Sequence, residues 1–528
     1  MLVSLQFLFT TTLRRMSSFR QNMTLPHLVA LLILLAAWLF TATANGQRII
    51  EYEAGMGTRD AQNPKIWILY NQVRATHDGM VLYADSAWLN TERNDFTAFG
   101  NVKIDITDTT TIFGDHLYYD GVQRLLDIWD DTVVLIDGAT ILRTMQLSYD
   151  RNTSTASYST WGRTVSGATT LESQEGYYNS DTKILDIYQD VALWDSASRL
   201  ETDTLVYNTS TKIARFVSPT HIYGNQSVLY SERGMYHTDS GYAVSTKASR
   251  IETDGKVLTS DILHYWEHAK RGEAYGHVSI LDTTNHTVCT GLYGETDQIL
   301  RTSYVTGQAL VRMADDQSDT LYIHADTIRV ANDSNNQLRS VKAYYHVKLF
   351  RHDAQALCDS IFYSASDSLL RLFGLPVLWY ENYQCSADSI DVRHDTVGVR
   401  RADLNGHSMV VQMVDSEKFN QLKGKRSVVY FDTSEPRYAD ILGNAQMVYY
   451  VTETDSLGRE TLIGVNAGVG ADMRIYFRQR KPHRIVTFGS PDMNTYPFDQ
   501  LPPEMFRLAD FKWLPNRRPR KPSDVFSW

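Results

Sequence analysis

The sequence predicts an all-β fold in which short strands stack layer upon layer as a solenoid. Three observations carry this expectation. First, one phrase recurs: ADSAWLN from Ala84, GDHLYYD from Gly114, TDTLVYN from Thr202, SDILHYW from Ser260 and CDSIFYS from Cys358. A fixed period of about 30 residues is the mark of stacked repeats, each unit burying its face against its neighbours. Second, polar and apolar residues alternate with a period of two inside each copy. Third, no segment before residue 495 carries a convincing amphipathic-helix pattern.

The N-terminus reads as an address. Arg14, Arg15 and Arg20 precede an apolar run from Leu28 to Phe40, and Ala42-Thr43-Ala44 follows as a small-x-small cleavage site. Residues 1–44 are expected to be a signal peptide that directs secretion. The run is short for a membrane span and has no stop-transfer charges after it, with a retained N-terminal anchor as the alternative.

The repeat then begins. Its anchor position is held by Asp85, Asp115, Met145, Gln174, Asp203, Glu232 and Asp261, by a weak copy near Leu292, and by Asp326, Asp359 and Asp388. Two and four residues after the anchor come apolar pairs such as Leu117 and Tyr119, Leu205 and Tyr207, Leu263 and Tyr265, and Ile361 and Tyr363. A second strand follows as RLLDIW (Arg124 to Trp129) and KILDIY (Lys183 to Tyr188), and a third as GNVKI (Gly100 to Ile104) and GHVSI (Gly276 to Ile280). Polar tips such as NSDTK (Asn179 to Lys183) and NTSTK (Asn208 to Lys212) supply the turns. A ladder of anchor carboxylates could hold calcium, but the position tolerates Met145 and Gln174, which favours a local turn bond from side chain to backbone. We expect the repeats to fill residues 45–470, with a division into two lobes near Leu292 left open. Residues 471–528 read as an Arg/Pro-rich extension containing RIYFRQRKPHR and NRRPRKP.

The formal charge of -10, from 51 basic and 61 acidic residues, disfavours nucleic acid as a partner. Cys289, Cys358 and Cys385 are an odd number; Cys358 and Cys385 fall at near-equivalent repeat positions and could pair in an oxidising compartment, or all three remain thiols. No level of the stack gathers catalytic groups. The histidines lack ligand spacing, no GxSxG or HExxH occurs, and NAGVGADMR (Asn466 to Arg474) sits in β-rich surroundings with no helix behind it. We therefore expect no enzyme, no metal and no cofactor. What remains is a long apolar face, which is core in a sealed stack and a groove in an open one.

The signal-like start, the D-x-L-x-Y strand, the GNV strand and the period together resemble the OstA-like family, related to the periplasmic lipopolysaccharide-transport protein LptA and to the N-terminal region of LptD. The resemblance covers about Ile49 to Val411 and is carried best by ADSAWLNTERNDFTAFGNVKI (Ala84 to Ile104) and GDHLYYDGVQRLLDIWDDTVVL (Gly114 to Leu135). It implies an elongated β-jellyroll folded like a taco, with stacked antiparallel strands and an apolar interior groove for the lipid A acyl chains of lipopolysaccharide. It also implies a place in the periplasm, in some association with the outer membrane, and transport partners that join by edge-strand addition. Lipid-groove residues are then expected at Leu117, Tyr119, Leu126, Ile128, Leu185, Ile187, Leu205, Tyr207, Leu263, Tyr265, Ile361 and Tyr363. Two other readings stand beside the conduit: a sealed structural or surface solenoid without ligand, and a polysaccharide lyase on a β-helix.

Overall fold

The computed structural model describes residues 49–314, 319–396, 398–432, 435–454, 460–497, 500–503 and 506–527. The expected signal segment lies outside the described residues. Among them are 38 strands, and every pairing given between them is antiparallel. The chain forms two compact units, residues up to 135 with 148–152, and residues 136–147 with 153–528.

In the first unit, strands Ile66–His77, Met80–Asn90, Asp95–Asp105 and Thr110–Asp120 pair in sequence, each with its predecessor. Their register breaks in mid-strand, between Tyr70 and Val73 and again between Phe99 and Val102. Two successive left-handed residues fill each break: Asn71 and Gln72 at φ 62° and 55°, and Gly100 and Asn101 at 77° and 46°. Such a bulge turns a strand sharply, so each strand is bent into two halves. The sheet consequently folds over its own apolar face. In a flat sheet, His77 and Tyr119 would lie roughly 26 Å apart, eight residues along the strand direction. In the structure the Tyr119 hydroxyl is 2.6 Å from His77 Nδ1. We call the two halves arm A, which carries His77, and arm B, which carries Tyr119.

The second unit repeats this construction. Corner pairs recur at Gln189-Asp190, Gly276-His277, Gly307-Gln308, Gly406-His407 and Gly443-Asn444, all with positive φ. Each unit is thus an all-β jellyroll of the taco kind, with bent antiparallel strands and an apolar inside. The strand Thr287–Asp297 is paired on both sides, so the weak copy at Leu292 does not divide the ladder. There Leu292 occupies the anchor slot itself, 3.0 Å from where a Cβ on Gly307 would stand. Pairing also runs past residue 470, through Glu460–Arg478 to Lys481–Phe488 and Asp492–Tyr496, so the ladder outlasts the readable period.

The anchor carboxylate does not make the local turn bond the sequence suggested. It reaches the corner of the next strand: Asn101 donates to Asp85 at 2.8 Å, and His277 and His407 pair with Asp261 and Asp388 at 2.8 and 3.0 Å. The glycine before each of these partners leaves room for the carboxylate. A Cβ on Gly276 or Gly406 would stand 2.2 or 2.1 Å from its oxygen.

After Tyr496 the chain leaves the ladder and crosses arm A as a strap ending in two short 3-10 turns, Pro515–Arg517 and Pro522–Phe526. It covers the outer face. Register places Val410, Leu422 and Met447 on one face of arm A and Val411, Gln421 and Val448 on the other. The first face packs inward, with Met447 against Ile441, Met473 and Ile475 of arm B. The second meets the strap: Leu501 joins Val448, Tyr450, Val465 and Ala467, while Leu508, Phe511 and Trp513 join Met409, Val411 and Phe419.

Candidate functional site

The twelve residues expected to line the groove all lie on arm B, and eleven of them are buried. Leu117, Leu126, Ile128, Leu185, Ile187, Leu205, Tyr207 and Leu263 are 0% exposed, and Tyr119, Tyr265 and Ile361 are 1 to 3% exposed. Tyr363 is half-buried and stacks on His394. Val206, between Leu205 and Tyr207, faces out. The interior is therefore a packed apolar core in this state, with the arms shut on one another.

The arms are shut by polar groups at their tips. Tyr178 of arm B donates to Asp137 of arm A at 2.6 Å, and Lys183 pairs with the same carboxylate, whose side chain is 0% exposed. Tyr236 donates to Asp195 at 2.6 Å, Ser227 to Glu267 at 2.6 Å, Asn332 to Asp282 at 3.1 Å, and Lys212 to Ser166 Oγ at 2.9 Å. In the first unit, Arg124 pairs with Asp78 while Arg151 donates to the Tyr119 hydroxyl at 3.1 Å. The inward tyrosines thus contribute rings to the core and hydroxyls to the clasp, the division of labour expected of a buried phenol.

Burial and this company set the charges. Burial, then the hydrogen bond to Asp137, pushes the Tyr178 hydroxyl far above its ordinary range. Burial beside Glu267 raises Tyr265 to about 12. Glu267 goes the other way: burial pushes its carboxyl up, but hydrogen bonds from Lys270 and Ser227 outweigh that and hold it below the ordinary value. The clasp tyrosines Tyr178, Tyr236 and Tyr265 are consequently neutral near neutral pH.

The clasp is not legible in the sequence, although its cations stand in the quoted turns: Lys183 ends NSDTK and Lys212 ends NTSTK. Their partners had no such signal, since Asp137, Asp195 and Ser166 approach only when the sheet folds. The strap is not legible either. Its tryptophan and phenylalanines gave no periodic pattern, and the Arg/Pro runs drew attention instead.

Burial pushes each of Cys289, Cys358 and Cys385 up to about 12, and none is in a disulfide. Cys358 and Cys385 cannot join across the intervening strand. Val377–Tyr380 pairs with both of their strands, which leaves them two ladder steps, about 10 Å, apart. Among the described residues no group of three or more His, Cys, Asp or Glu is arranged to hold a metal.

Comparison with known proteins identifies one family, described as OstA-like protein, which matches residues 48–203 and 177–261 in overlapping copies. No curated protein matches. Among solved structures, the crystal structure of LptH, the LptA-homologous periplasmic component of the lipopolysaccharide transport device from Pseudomonas aeruginosa, matches 27% of this chain and 84% of that chain at 12% identity. Its TM-score of 0.14 is too low for the likeness to carry an argument. The family match falls on the bent strands, corners and turns described above, and over residues 48–261 the chain is similar to the OstA-like family.

Proposed function

We propose that this chain is a periplasmic lipopolysaccharide-binding and transport protein of outer-membrane biogenesis. Its arms shield lipid A acyl chains and help carry the glycolipid between inner and outer membrane. The observation that carries the reading is the clasp. The two apolar faces are not tied covalently or by a shared hydrophobic edge; they meet at a mouth closed by hydrogen bonds and ion pairs. Polar contacts of this kind exchange readily for water, whereas acyl chains gain about 0.8 kcal/mol for each CH₂ removed from it. Parting the arms then exchanges core-core packing for core-acyl packing at little net cost. Lipopolysaccharide-transport components are the natural partners, joined through the edges of Lys481–Phe488 and Asp492–Tyr496, each of which has one strand partner among the described residues. The reading assigns no catalysis to the chain.

A second reading, a sealed structural solenoid, draws support from the tight packing of Leu117, Leu205 and Tyr207. Photocrosslinking in cells separates the two. A photoreactive residue at inward Tyr207 should capture lipopolysaccharide while one at outward Val206 should not. A folded, secreted protein that captures it at neither position belongs to the sealed reading.

A further inference from the structure

The hairpin turns at the tips of arm B put a residue in the left-handed conformation once per turn. Asn94, Gly241 and Asn336 fill this slot at φ 54°, 63° and 59°, the residue types that adopt it at least cost. Ser154 and Ser368 fill it at 54° and 48°, and in five turns the slot holds a cation: Arg124 in the first unit, and Lys183, Lys212, Lys270 and Arg301 in the second, at φ 51° to 63°. The backbone accepts asparagine or glycine there, so turn geometry does not call for lysine or arginine, and each carries a conformational cost of about 1 kcal/mol.

These slots are stacked in register. The carbonyls of Lys183, Lys212, Lys270 and Arg301 each accept an amide hydrogen from the next turn, from Thr209, Thr238, Gln298 and Asn332 at 2.9 to 3.0 Å. Consecutive slots are therefore two strands, about 9.6 Å, apart along the mouth. In the closed state the cations are unequally engaged. Lys183 meets Asp137 and Lys270 meets Glu267, but Lys212 reaches only the neutral Ser166, and Arg301 is exposed with no ion pair among the described residues.

We infer that the arm B turn cations of the second unit form a track for the anionic headgroup of the transported glycolipid, its phosphate groups pairing with Lys212 and Arg301 while the acyl chains lie between the arms. This rests on the conduit reading and adds to it the side of the mouth on which the headgroup travels. A charge-assisted phosphate contact is strong and directional, and cations spaced along the row, with one gap at Gly241, would pass the headgroup on without any one of them holding it fast. Lys183 and Lys270 would join the track when parting of the arms frees them from their carboxylates.

The test is binding of fluorescent lipid A to the full chain, as the bis-phosphorylated form and as the fully dephosphorylated form. Wild type should prefer the phosphorylated lipid, and K212Q/R301Q should lose about tenfold in affinity for it while binding the dephosphorylated lipid as wild type does. The control R215Q/K425Q, an equal charge change on exposed residues away from the turns, should leave both unchanged. K212R/R301K should restore binding, which separates charge from folding. Equal binding of both lipids by wild type and K212Q/R301Q would overturn the track and leave the conduit standing. Failure of wild type to bind either lipid would overturn both. Inorganic phosphate that protects Lys212 and Arg301 from chemical labelling as well as the phosphorylated lipid does would assign them to free anions and overturn the headgroup role.

Discussion

Gly406 and Asp388 share one corner, and the glycine matters more than the charge. A methyl group at Gly406 would lie 2.1 Å from the Asp388 carboxylate, on a residue whose φ is 71°. Gly406→Ala should therefore cost about 1–3 kcal/mol. Asp388→Ala removes a pair with His407 in which both side chains are more than half exposed, worth under about 0.5 kcal/mol. Urea midpoints of the two variants and of their combination check this; the combination should recover part of the Gly406→Ala loss, because the clash partner is gone. At the clasp, the Glu267 side chain is 8% exposed and its carboxyl is held below its ordinary 4.5 by Lys270 and Ser227. A depressed carboxylate contributes stability that is fully present above its unfolded value and is lost as pH falls through the folded one. Wild type should thus melt at higher temperature than Glu267→Gln at pH 7, and the gap should close on acidification below 4.5. A gap that stays constant with pH would mean the carboxylate's charge is not what the clasp uses.

The element most open to a decisive change is the strap. Gln384 donates to the Lys512 carbonyl at 2.7 Å and accepts from the Leu514 amide at 2.8 Å, and Gln421 treats Phe506 and Leu508 in the same way at 2.9 Å each. Both glutamines are buried, at 1% and 0% exposure, amid Trp379, Val411 and Phe419. Each amide thus acts as one rung of a sheet for a segment with no strand beside it. Gln384→Ala/Gln421→Ala leaves the Lys512 carbonyl and the Leu508 and Leu514 amides of the strap without these partners, at about 1–3 kcal/mol each if they stay buried, while the Phe506 carbonyl keeps its bond from Arg507. Hydrogen exchange at 506–514 should rise by at least tenfold in this variant, while the strands Asp95–Asp105 and Arg271–Asp282 keep their protection. Strands and turns were legible in the sequence because period-two alternation and polar tips are local properties; Leu205 and Tyr207 declare their face by their neighbours alone. The corners were half legible, as the recurrent Gly-Asn and Gly-His pairs, but a bend of the strand does not follow from glycine by itself. Contacts made by folding the sheet, such as Tyr236 with Asp195, or by laying the strap over Gln384 and Gln421, join residues 41 to 130 positions apart and leave no local trace.

Over the molecule as a whole, pairing joins strands that are adjacent in sequence or at most three strands apart, so stability is a sum of near-neighbour terms and not the property of one core. The strap departs from this rule, since it ties strands from His324 to Ala467 to one segment. Urea unfolding followed by hydrogen exchange should accordingly resolve more than one step, with strands between residues 320 and 467 opening together in wild type and separately in Gln384→Ala/Gln421→Ala. A single transition shared by all strands in both proteins would contradict this.

The strap also imposes an order in time. Trp379, Val411 and Val448 are synthesised before Leu514, Trp513 and Leu501, which cover the faces they belong to. Through that interval an outer sheet face stands bare, at the stage when an incomplete chain is most exposed to other unfinished chains. Products broken off before residue 501 keep that face bare permanently and are marked for aggregation or proteolysis by their own surface. The strap is in this sense a receipt: a chain that carries it has had its outer face covered.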